Sequence, residues 1–443
     1  MIQLRPYQQK AILDIRSEYQ RGTRSVVHVL PTGGGKTALA SAITSSAVAR
    51  GSSVWFVVHR EELLEQTSAE FSRWGIEHGI VMSGKPASPF ASVQVCSIMT
   101  LIRRLDKLPA PDLIILDEAH HVGAKSWNRL FDMDCRFLGL TATPWRLDGK
   151  GLGSWFDRIV EGPSVKWLIE NGYLSEYEAY APAIPDTSGL HKRGGDYITA
   201  EIDALMNRRV ITGSAISHYE RLASGSQAIV FCCTLDHSKG VVSQFGEHRA
   251  AHLDGKTPKG ERRQKIESFR NGDIKILSNV GLFDEGFDVP NVGCVICLRP
   301  TASLTKHRQM LGRGLRVGER DAIILDHAGN IPHHGLPDDD IEWSLEDREK
   351  RRKGGTDDTP PVRQCPECYR VVQSTISACV CGYEWKPDPR RLNTVEGNLE
   401  RITESKRRGY VADNKLHEYA KSRGYSPGWA FHVKNARRKK HGS

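Results

Sequence analysis

The stretch Val26-Val-His-Val-Leu-Pro-Thr-Gly-Gly-Gly-Lys-Thr37 places an apolar run directly before a glycine-rich loop. A helical run from Ala38 to Arg50 follows the loop and stops at Gly51. In such a strand–loop–helix unit, glycines let backbone N–H groups converge on phosphate oxygens at a helix N-terminus. The lysine would reach the β and γ phosphates of a nucleotide, and the threonine hydroxyl would bind Mg²⁺. The residues of this predicted phosphate-binding loop are Thr32, Gly33, Gly34, Gly35, Lys36 and Thr37.

Strand-sized apolar runs recur around this loop and alternate with helical segments, which is typical of parallel sheets buried on both faces. The first set comprises Val26–Leu30, Val54–Val58, Val93–Ile98, Leu113–Leu116 and Phe137–Leu140. The second set comprises Ala228–Phe231, Ile274–Leu277, Val292–Leu298 and Ala322–Leu325. The predicted fold class is therefore α/β, with two parallel-sheet lobes in tandem.

A second motif, Asp117-Glu-Ala-His120, follows one of these apolar runs directly. Carboxylates at the end of a buried strand can be held rigidly beside a phosphate-binding loop. Asp117 would bind Mg²⁺, directly or through water, and Glu118 would orient and deprotonate a water in line with the γ phosphate. A lone Asp-Glu pair is usually surface charge, but the apolar run before it and its distance from the loop favour a hydrolytic site.

The segment Gln309-Met-Leu-Gly-Arg-Gly-Leu-Arg316 lies in the second set of runs. Its two arginines are three residues apart, so both can face the same side of a helix. An arginine from a facing lobe can neutralise charge on a transferring phosphoryl group, an effect worth about 10³ to 10⁵ in rate. Gln309, Arg313 and Arg316 are thus predicted catalytic residues, and a basic surface helix is the alternative.

Together, in their order and approximate spacing, these segments resemble the superfamily-two helicases of the DEAH/DExH type. The glycine loop has the Pro-Thr-Gly-x-Gly-Lys-Thr form that helicases use, with Leu30 where the general phosphate-loop pattern has glycine. Six further segments carry the resemblance: Leu4-Arg-Pro-Tyr-Gln8, Val57-Val-His-Arg-Glu-Glu-Leu63, Ser97-Ile-Met-Thr100, Thr141-Ala-Thr-Pro144, Ile229-Val-Phe-Cys-Cys-Thr234 and Ile276-Leu-Ser-Asn-Val-Gly-Leu-Phe-Asp-Glu-Gly-Phe-Asp-Val-Pro290. The match runs from residue 1 to about residue 330. It implies an ATP hydrolase with two RecA-like lobes that moves on nucleic acid or remodels it.

The resemblance also implies roles for individual residues. Gln8 would recognise adenine, Gly286 would let the backbone approach the nucleotide, and Asp288 would accept a hydrogen bond from a ribose hydroxyl. The segment Thr141–Pro144 would couple hydrolysis to lobe movement. The residues implied to contact the sugar-phosphate backbone are Arg60, Thr100 and Thr234.

Two departures from the DEAD-box RNA helicases favour DNA as the substrate, with RNA left open. The last motif has Gln309-Met-Leu-Gly312 where those enzymes typically have His-Arg-x-Gly, and the coupling segment reads Thr-Ala-Thr. Within the DExH group, Leu298-Arg-Pro-Thr301 and Leu325-Asp-His-Ala-Gly-Asn330, followed by cysteines, resemble the RadD group of bacterial repair helicases.

The cysteines that follow, Cys365-Pro-Glu-Cys368 and Cys379-Val-Cys381, resemble a short zinc ribbon. Four thiolates suit tetrahedral Zn²⁺, although the second pair has one intervening residue where two are usual. Four unrelated thiols are the alternative. Cys294 and Cys297 also have metal-ligand spacing, but in an extended run residues three apart point to opposite faces, which favours core packing.

Composition places the chain among globular proteins. Hydrophobic residues make up 39% and charged residues 26% of the 443 residues, and the apolar runs are too short to span a membrane. The first motif begins close to Met1, so no targeting segment and a cytoplasmic location are expected. The ten cysteines should then be thiols or metal ligands rather than disulfides.

Basic charge is concentrated at the C-terminal end. Residues 388–443 carry fourteen Lys and Arg against six Asp and Glu, which is nearly the whole net charge of +9. Such a tail is expected to neutralise nucleic-acid phosphates, and a solvated charged face is the alternative. The predicted organisation is a first lobe at 1–170, a connector at 171–205, a second lobe at 206–332, a charged linker at 333–360, a zinc ribbon at 361–386 and a basic tail at 387–443.

Three functions are compatible with these features. The leading one is an ATP-dependent translocase or helicase that uses ATP and Mg²⁺, with Zn²⁺ in the ribbon. An ATP-switched clamp on duplex DNA would need the same motifs without strand separation. A motor subunit of a restriction or repair complex would require a protein partner.

Overall fold

The structure is a computed structural model. It describes residues 3–85, 88–181, 187, 189–206, 209–246, 249–283, 292–318, 320–347, 362–385, 415–422 and 428–434. Residues 1–385 form one compact unit, and residues 386–443 form a second. In the second unit, a helix spans Leu416–Ser422, and residues 429–434 are also helical. Among the described residues, no helix combines the length and the apolar character that crossing a membrane requires.

The first lobe is built on a seven-stranded sheet in which every neighbouring pair of strands is parallel. Its strands are β1 (Ser25–Val29), β2 (Val54–Val58), β3 (Gly79–Val81), β4 (Val93–Ser97), β5 (Leu113–Asp117), β6 (Arg136–Thr141) and β7 (Arg158–Glu161), in the order β3-β4-β2-β5-β6-β1-β7. Its helices are α1 (Pro6–Gln20), α2 (Lys36–Val48), α3 (Glu61–Arg73), α4 (Ile98–Leu101), α5 (Lys125–Phe131) and α6 (Val165–Glu170). Alternate residues of the central strands pack into two separate hydrophobic clusters, so both faces of the sheet are covered.

The second lobe repeats the design with six parallel strands. They are β8 (Tyr177–Tyr180), β11 (Ala228–Phe231), β12 (Ala250–Leu253), β13 (Ile276–Asn279), β14 (Cys294–Cys297) and β15 (Ala322–Asp326), in the order β12-β13-β11-β14-β15-β8. A small antiparallel hairpin, β9 (Lys192–Arg193) with β10 (Asp196–Tyr197), precedes the lobe's first helix. The helices are α7 (Thr199–Met206), α8 (Arg209–Leu222), α9 (Leu235–Phe245), α10 (Lys259–Arg270), α11 (Leu304–Leu311) and α12 (Asn330–His334).

The predicted fold class, two RecA-like parallel-sheet lobes in tandem, is confirmed. The stretch expected as a connector contributes more than a link, because β8 lies within it and pairs with β15 at the edge of the second sheet. Cys294 and Cys297 are both buried and pack into different clusters, as expected for core residues three apart in a strand.

After the second lobe, the chain returns to the first lobe. Residues 343–347, which we call the return strap, lie in the stretch expected as a charged linker. The backbone N–H of Gly153 donates to the Leu345 carbonyl at 2.8 Å, and the Trp145 indole donates to the Glu346 carbonyl at 3.1 Å. Leu345 packs against a core cluster of the first lobe. A Cβ atom on Gly151 would lie 2.0 Å from the Leu345 carbonyl oxygen, so only glycine fits beneath the strap.

The cysteine-rich segment folds against the second lobe. It begins with the hairpin β16 (Val362–Gln364) and β17 (Val371–Gln373). The Ala181 N–H donates to the Tyr369 carbonyl at 3.2 Å, and Arg370 pairs with Glu178 at 2.8 Å. Val371 is buried in the core cluster of this lobe. The hairpin therefore covers β8, which would otherwise be an open sheet edge.

Candidate nucleotide-hydrolysis site

A cleft of about 420 Å³ lies between the two lobes. The first lobe contributes the glycine loop and the ends of the neighbouring elements, and the second lobe contributes the segment after α11. The lining residues include Arg5, Thr32, Gly33, Gly35, Lys36, Thr37, Gln66, Thr67, Asp117, Glu118, Tyr173, Gln309, Arg313 and Arg316. The structure thus brings together the loop, the two carboxylates and the three second-lobe residues that the sequence predicted as catalytic.

The glycine loop wraps the N-terminus of α2. Gly35 caps this helix with φ +87°, a left-handed conformation that favours glycine. A Cβ atom there would also lie 2.4 Å from the Gln8 side-chain nitrogen. The Lys36 ammonium donates to the Leu30 carbonyl at 3.3 Å and lines the cleft. The helix N-terminus and the lysine together provide an anion site for phosphate oxygens.

Gln8 is tied to the back of this loop. Its amide nitrogen donates to the Gly34 and Gly35 carbonyls, each at 3.2 Å, and its oxygen accepts from the Arg5 N–H at 2.9 Å. The Tyr7 hydroxyl donates to the same Gly34 carbonyl at 2.7 Å. These bonds support the loop conformation, and recognition of adenine by Gln8 stays a prediction. Arg5 and Tyr173, which the sequence did not suggest, stand together on the cleft wall, 5.1 Å apart from guanidinium to ring centre.

The two carboxylates lie where β5 ends. Glu118 has φ +48° and ψ +56°, a strained backbone for a residue with a side chain, and it is only 5% exposed. The amide nitrogen of Gln309 lies 3.5 Å from the Glu118 carboxylate, and the His120 ring nitrogen lies 3.4 Å from it. Burial, together with the charge of Glu118, raises the pKa of Asp117 above its usual range. A divalent cation at this position would offset both effects, which suits the predicted Mg²⁺ site.

Hydrogen bonds run from the carboxylates across to the second lobe. The His120 ring lies 3.2 Å from the Thr141 hydroxyl, which donates to the Thr143 carbonyl at 2.7 Å. The Thr143 hydroxyl in turn donates to Thr305 of α11 at 2.9 Å. Thr305 donates to the Trp145 carbonyl at 3.1 Å. The predicted coupling segment is therefore joined directly to the helix that carries Gln309.

The arginines enter the cleft from the second lobe. Arg313 is 4% exposed and donates through Nε to the Phe283 carbonyl at 3.1 Å, while Arg316 is partly exposed. A Cβ atom on Gly312 would lie 2.7 Å from Cβ of Thr32, so the helix end touches the phosphate loop. Arg313 and Arg316 both line the cleft from the second lobe. Gly286 and Asp288, expected to contact the nucleotide, lie outside the described residues.

The residues expected to contact a nucleic-acid strand lie on separate elements. Arg60, at the N-terminus of α3, donates to the Gly281 carbonyl of the second lobe at 3.2 Å. Thr234 accepts from His237 N at the start of α9 and donates to Asp203 at 2.6 Å. Thr100 lies partly exposed in α4. Contact of these residues with a strand stays a prediction.

The four predicted zinc ligands converge on one point. The sulfur atoms of Cys365, Cys368, Cys379 and Cys381 all lie within 4.8 Å of one another, with two pairs at 3.6 Å. Tetrahedral Zn²⁺ with bonds of about 2.3 Å places its sulfurs about 3.8 Å apart, so the spacing fits. Burial alone would raise the pKa of Cys365, but the N–H groups of Cys368 and Glu367 lower it to about 7. The short second pair, Cys379-Val-Cys381, is followed by Gly382 at φ +93°, whose N–H donates to the Cys379 carbonyl at 2.9 Å.

Two known protein families match this chain, one in each lobe. Residues 1–146 match the family described as "Type III restriction enzyme, res subunit", and residues 213–318 match the "Helicase conserved C-terminal domain". The chain is 35% identical over 383 residues to a 51.5 kDa protein of Lactococcus phage (isolate 7-9), a match that covers 85% of this chain and 82% of that protein. It is 26% identical over 371 residues to the DNA 3'-5' translocase XPB2 of Sulfurisphaera tokodaii, covering 73% of this chain and 81% of the relative.

Solved structures share the fold. A fragment described as the HsdR subunit of a type I restriction enzyme from Vibrio vulnificus YJ016 superposes with a TM-score of 0.61 at 20% identity, covering 75% of this chain and 65% of the fragment. The chain spans just over half the length, 55% and 58%, of two further curated relatives from yeasts.

Proposed function

The chain belongs to the superfamily-two helicases, a family of ATP hydrolases, and from this premise we propose that it is an ATP-driven translocase on DNA. One observation carries the proposal: the phosphate loop, the Glu118 carboxylate and the arginines of the facing lobe line a single cleft of about 420 Å³. Hydrolysis in such a cleft depends on residues from both lobes. Opening and closing of the lobes is thereby linked to the reaction.

Each residue of the cleft has a chemical role in this proposal. Lys36 and the loop N–H groups would bind the phosphates, and Gln309 would hold Glu118 in place. Glu118 would orient the attacking water and accept its proton. Thr37 and Asp117 would hold Mg²⁺, which neutralises charge on the phosphates when bound. Arg313 and Arg316 would stabilise the charge that develops on the transferred phosphoryl group.

The hydrogen-bonded threonines explain how chemistry could move the lobes. Thr143 of the first lobe and Thr305 of the second are bonded at 2.9 Å, and Thr143 is linked back through Thr141 and His120 toward Glu118. Loss of the γ phosphate would remove the group that Glu118 and the arginines both act on. The lobes would then separate, and in each cycle the contacts of one lobe with the strand would move along it.

DNA is the proposed substrate on three grounds. The last helicase motif departs from that of the DEAD-box RNA helicases, as the sequence indicates. The similar protein of Sulfurisphaera tokodaii is named a DNA translocase, and a restriction-enzyme family matches the first lobe. The cluster of basic residues at 388–443 suits phosphate contacts.

The test compares ATP hydrolysis with single-stranded DNA, duplex DNA and RNA at one salt concentration, using Lys36→Ala as the inactive control. Stimulation of kcat by DNA above that by RNA supports the proposal. Equal or greater stimulation by RNA, or none by any of the three, contradicts it. A triplex-displacement assay beside a strand-displacement assay then separates translocation from unwinding, and failure of both would favour the ATP-switched clamp.

A second candidate is the motor subunit of a restriction or repair complex, favoured by the restriction-enzyme family that matches residues 1–146. Stable co-purification of a nuclease or modification subunit would support it.

Membership of the RadD group and a cytoplasmic location remain predictions. We also propose that Cys365, Cys368, Cys379 and Cys381 bind one Zn²⁺, supported by the spacing of their sulfur atoms.

A further inference from the structure

The hairpin of β9 and β10 contains a buried carboxylate that no motif of the family accounts for. Asp196 in β10 is 6% exposed. Its Oδ1 accepts from the Ala302 N–H at 2.8 Å and from the Thr301 hydroxyl at 2.9 Å. Its Oδ2 accepts from the Lys306 ammonium at 2.9 Å and pairs with Arg299 at 3.3 Å. The neighbouring Tyr197 N–H also donates to Oδ1 at 3.0 Å, and the other four donors all come from residues 299–306 of the second lobe.

These donors surround the start of α11. Thr301 and Ala302 directly precede the helix, whose N-cap is Ser303, and Lys306 lies in its first turn. A carboxylate beside a helix N-terminus is stabilised by the helix dipole. Burial alone would raise the pKa of Asp196, but Lys306, the Ala302 N–H and Arg299 together lower it below its usual range. The carboxylate is therefore charged and fixes where α11 begins.

The same helix ends in the cleft. Its far end carries Gln309, which lies beside Glu118, and is followed by Arg313. Its first turn carries Thr305, which bonds to Thr143. A shift at the start of so short a helix is passed to its end, because eight residues form about two rigid turns. The position of the second lobe's catalytic residues thus depends on how the start of α11 is held.

The tip of the hairpin touches the opposite lobe. A Cβ atom on Gly195 would lie 2.4 Å from the Leu147 carbonyl oxygen and 2.6 Å from the Asp148 backbone nitrogen. Both residues follow the coupling segment of the first lobe. The neighbouring Gly194 has nothing within 4 Å of such an atom. Gly195 and Gly194 both have positive φ, +89° and +64°. The two glycines therefore share a left-handed backbone conformation and differ in that only Gly195 lies against the first lobe.

We infer that Asp196 is a positioning residue for ATP hydrolysis. The β9–β10 hairpin seats against Leu147 and Asp148 when the lobes close, and this contact aligns α11 with the first lobe. The hairpin is held to α11 by the carboxylate and meets the first lobe through its glycine tip. It therefore links the two halves of the site from the connector side. This role rests on the proposed hydrolysis between closing lobes, and it does not depend on whether DNA or RNA is the substrate.

The first test is steady-state ATP hydrolysis by Asp196→Ala and Asp196→Asn in the full chain. The alanine variant leaves buried donors unmatched at the start of α11, so kcat should fall about tenfold to a hundredfold. The KM for ATP should change by less than about threefold, because the phosphate loop is untouched. The asparagine variant keeps an oxygen for Ala302 and Thr301, and should recover part of the lost kcat. An unchanged kcat in the alanine variant, or a change confined to KM, overturns the inference.

The second test needs no loss of the carboxylate and remains decisive if Asp196→Ala fails to fold. Gly195→Ala and Gly194→Ala share the cost of placing alanine at positive φ. Only the first also clashes with Leu147, so Gly195→Ala should lower kcat several-fold below Gly194→Ala at equal thermal stability. Equal kcat values for the two variants overturn the seating of the hairpin. The translocase proposal and the role of Asp196 fail in different assays. Absence of stimulation of the wild-type protein by nucleic acid contradicts the translocase. The variants test the role of Asp196 and the hairpin through their basal hydrolysis, measured without nucleic acid.

Discussion

At the scale of the residue, Glu118 carries the strongest sign of function, because its backbone is strained and its carboxylate is buried. Such conformations persist where the surrounding structure holds them, and they are common in active sites. Glu118→Gln keeps the shape and removes the base. We expect kcat to fall by about 10² to 10⁴ while ATP binding remains, so that the enzyme accumulates in a nucleotide-bound state. Retention of labelled ATP through gel filtration would measure this, and a variant with normal turnover would contradict the assignment.

Lys36 supplies the second prediction. Lys36→Ala should abolish ATP hydrolysis while nucleic-acid binding stays within a few-fold of wild type, because the lysine lies in the phosphate loop and faces the cleft. Hydrolysis and DNA binding by fluorescence anisotropy are to be measured on the same preparation. Lys10→Ala is the matched control, since Lys10 is an exposed lysine of α1 that pairs with Asp14. Near-normal turnover in Lys36→Ala would exclude the phosphate-loop assignment.

The third prediction concerns Arg316. A finger acts mainly in the transition state, so Arg316→Ala should lower kcat by about 10³ or more and weaken ATP binding only modestly. Arg270→Ala is the control, because Arg270 is an exposed second-lobe arginine paired with Glu267. Separate measurement of kcat and KM decides the matter. A rise in KM with kcat unchanged would show that Arg316 only binds the nucleotide.

At the scale of the element, the sequence predicted the buried strands and missed the edges. The nine predicted runs correspond to interior strands, such as β2 at Val54–Val58, where both faces are covered and every residue is buried. Within the two large sheets, the four strands that it did not indicate are β3, β7, β8 and β12, and they are the four outer strands of those sheets. An outer strand is partly solvated, as Arg158–Glu161 shows with one buried residue in four. Its residues therefore form no continuous apolar run.

The same distinction applies to the site. Residues in linear motifs, such as Lys36 and Glu118, could be named because their chemistry depends on near neighbours in the chain. Thr305 and Tyr173 could not, because each reaches the site through contacts with residues far away in the chain, and neither stands in a recognisable pattern. Thr305 is the second residue of α11, and nothing in the sequence around it indicates its partner Thr143, which lies 162 positions away.

The cysteine segment gives the fourth prediction. The purified chain should contain about one Zn²⁺, lost in Cys365→Ser, and elemental analysis of metal-replete protein measures it. Cys135→Ser is the control, because Cys135 is a partly exposed thiol outside the cluster. Since the hairpin of β16 and β17 packs on β8, loss of zinc should also increase hydrogen exchange in Tyr177–Tyr180. Full zinc content in Cys365→Ser, or none in the wild type, would contradict the site.

At the scale of the whole molecule, charge is the feature with a consequence for binding. Residues 388–443 carry eight of the nine net positive charges. Each phosphate contact on a single strand contributes about −0.7 to the slope of log K against log salt concentration. Truncation after Lys386 should flatten that slope by about 3 units if about four contacts are lost, and should weaken binding at low salt. Basal hydrolysis should change little, because the residues that line the cleft lie before residue 318. An unaltered slope would show that the lobes alone bind the strand.

The return strap adds an attachment between the two lobes to the connector and to the contacts across the cleft. Residues 343–347 follow the second lobe in the chain yet bond to Gly151, Gly153 and Trp145 of the first. A body held to its neighbour at a single point can swing in any direction, whereas one held at two separate points can only rotate about the line that joins them. With the connector as one pivot and the strap as the other, we expect the lobes to rotate about the line that joins the two once the contacts across the cleft are broken. The cleft would then open along one arc, whose direction the backbone sets.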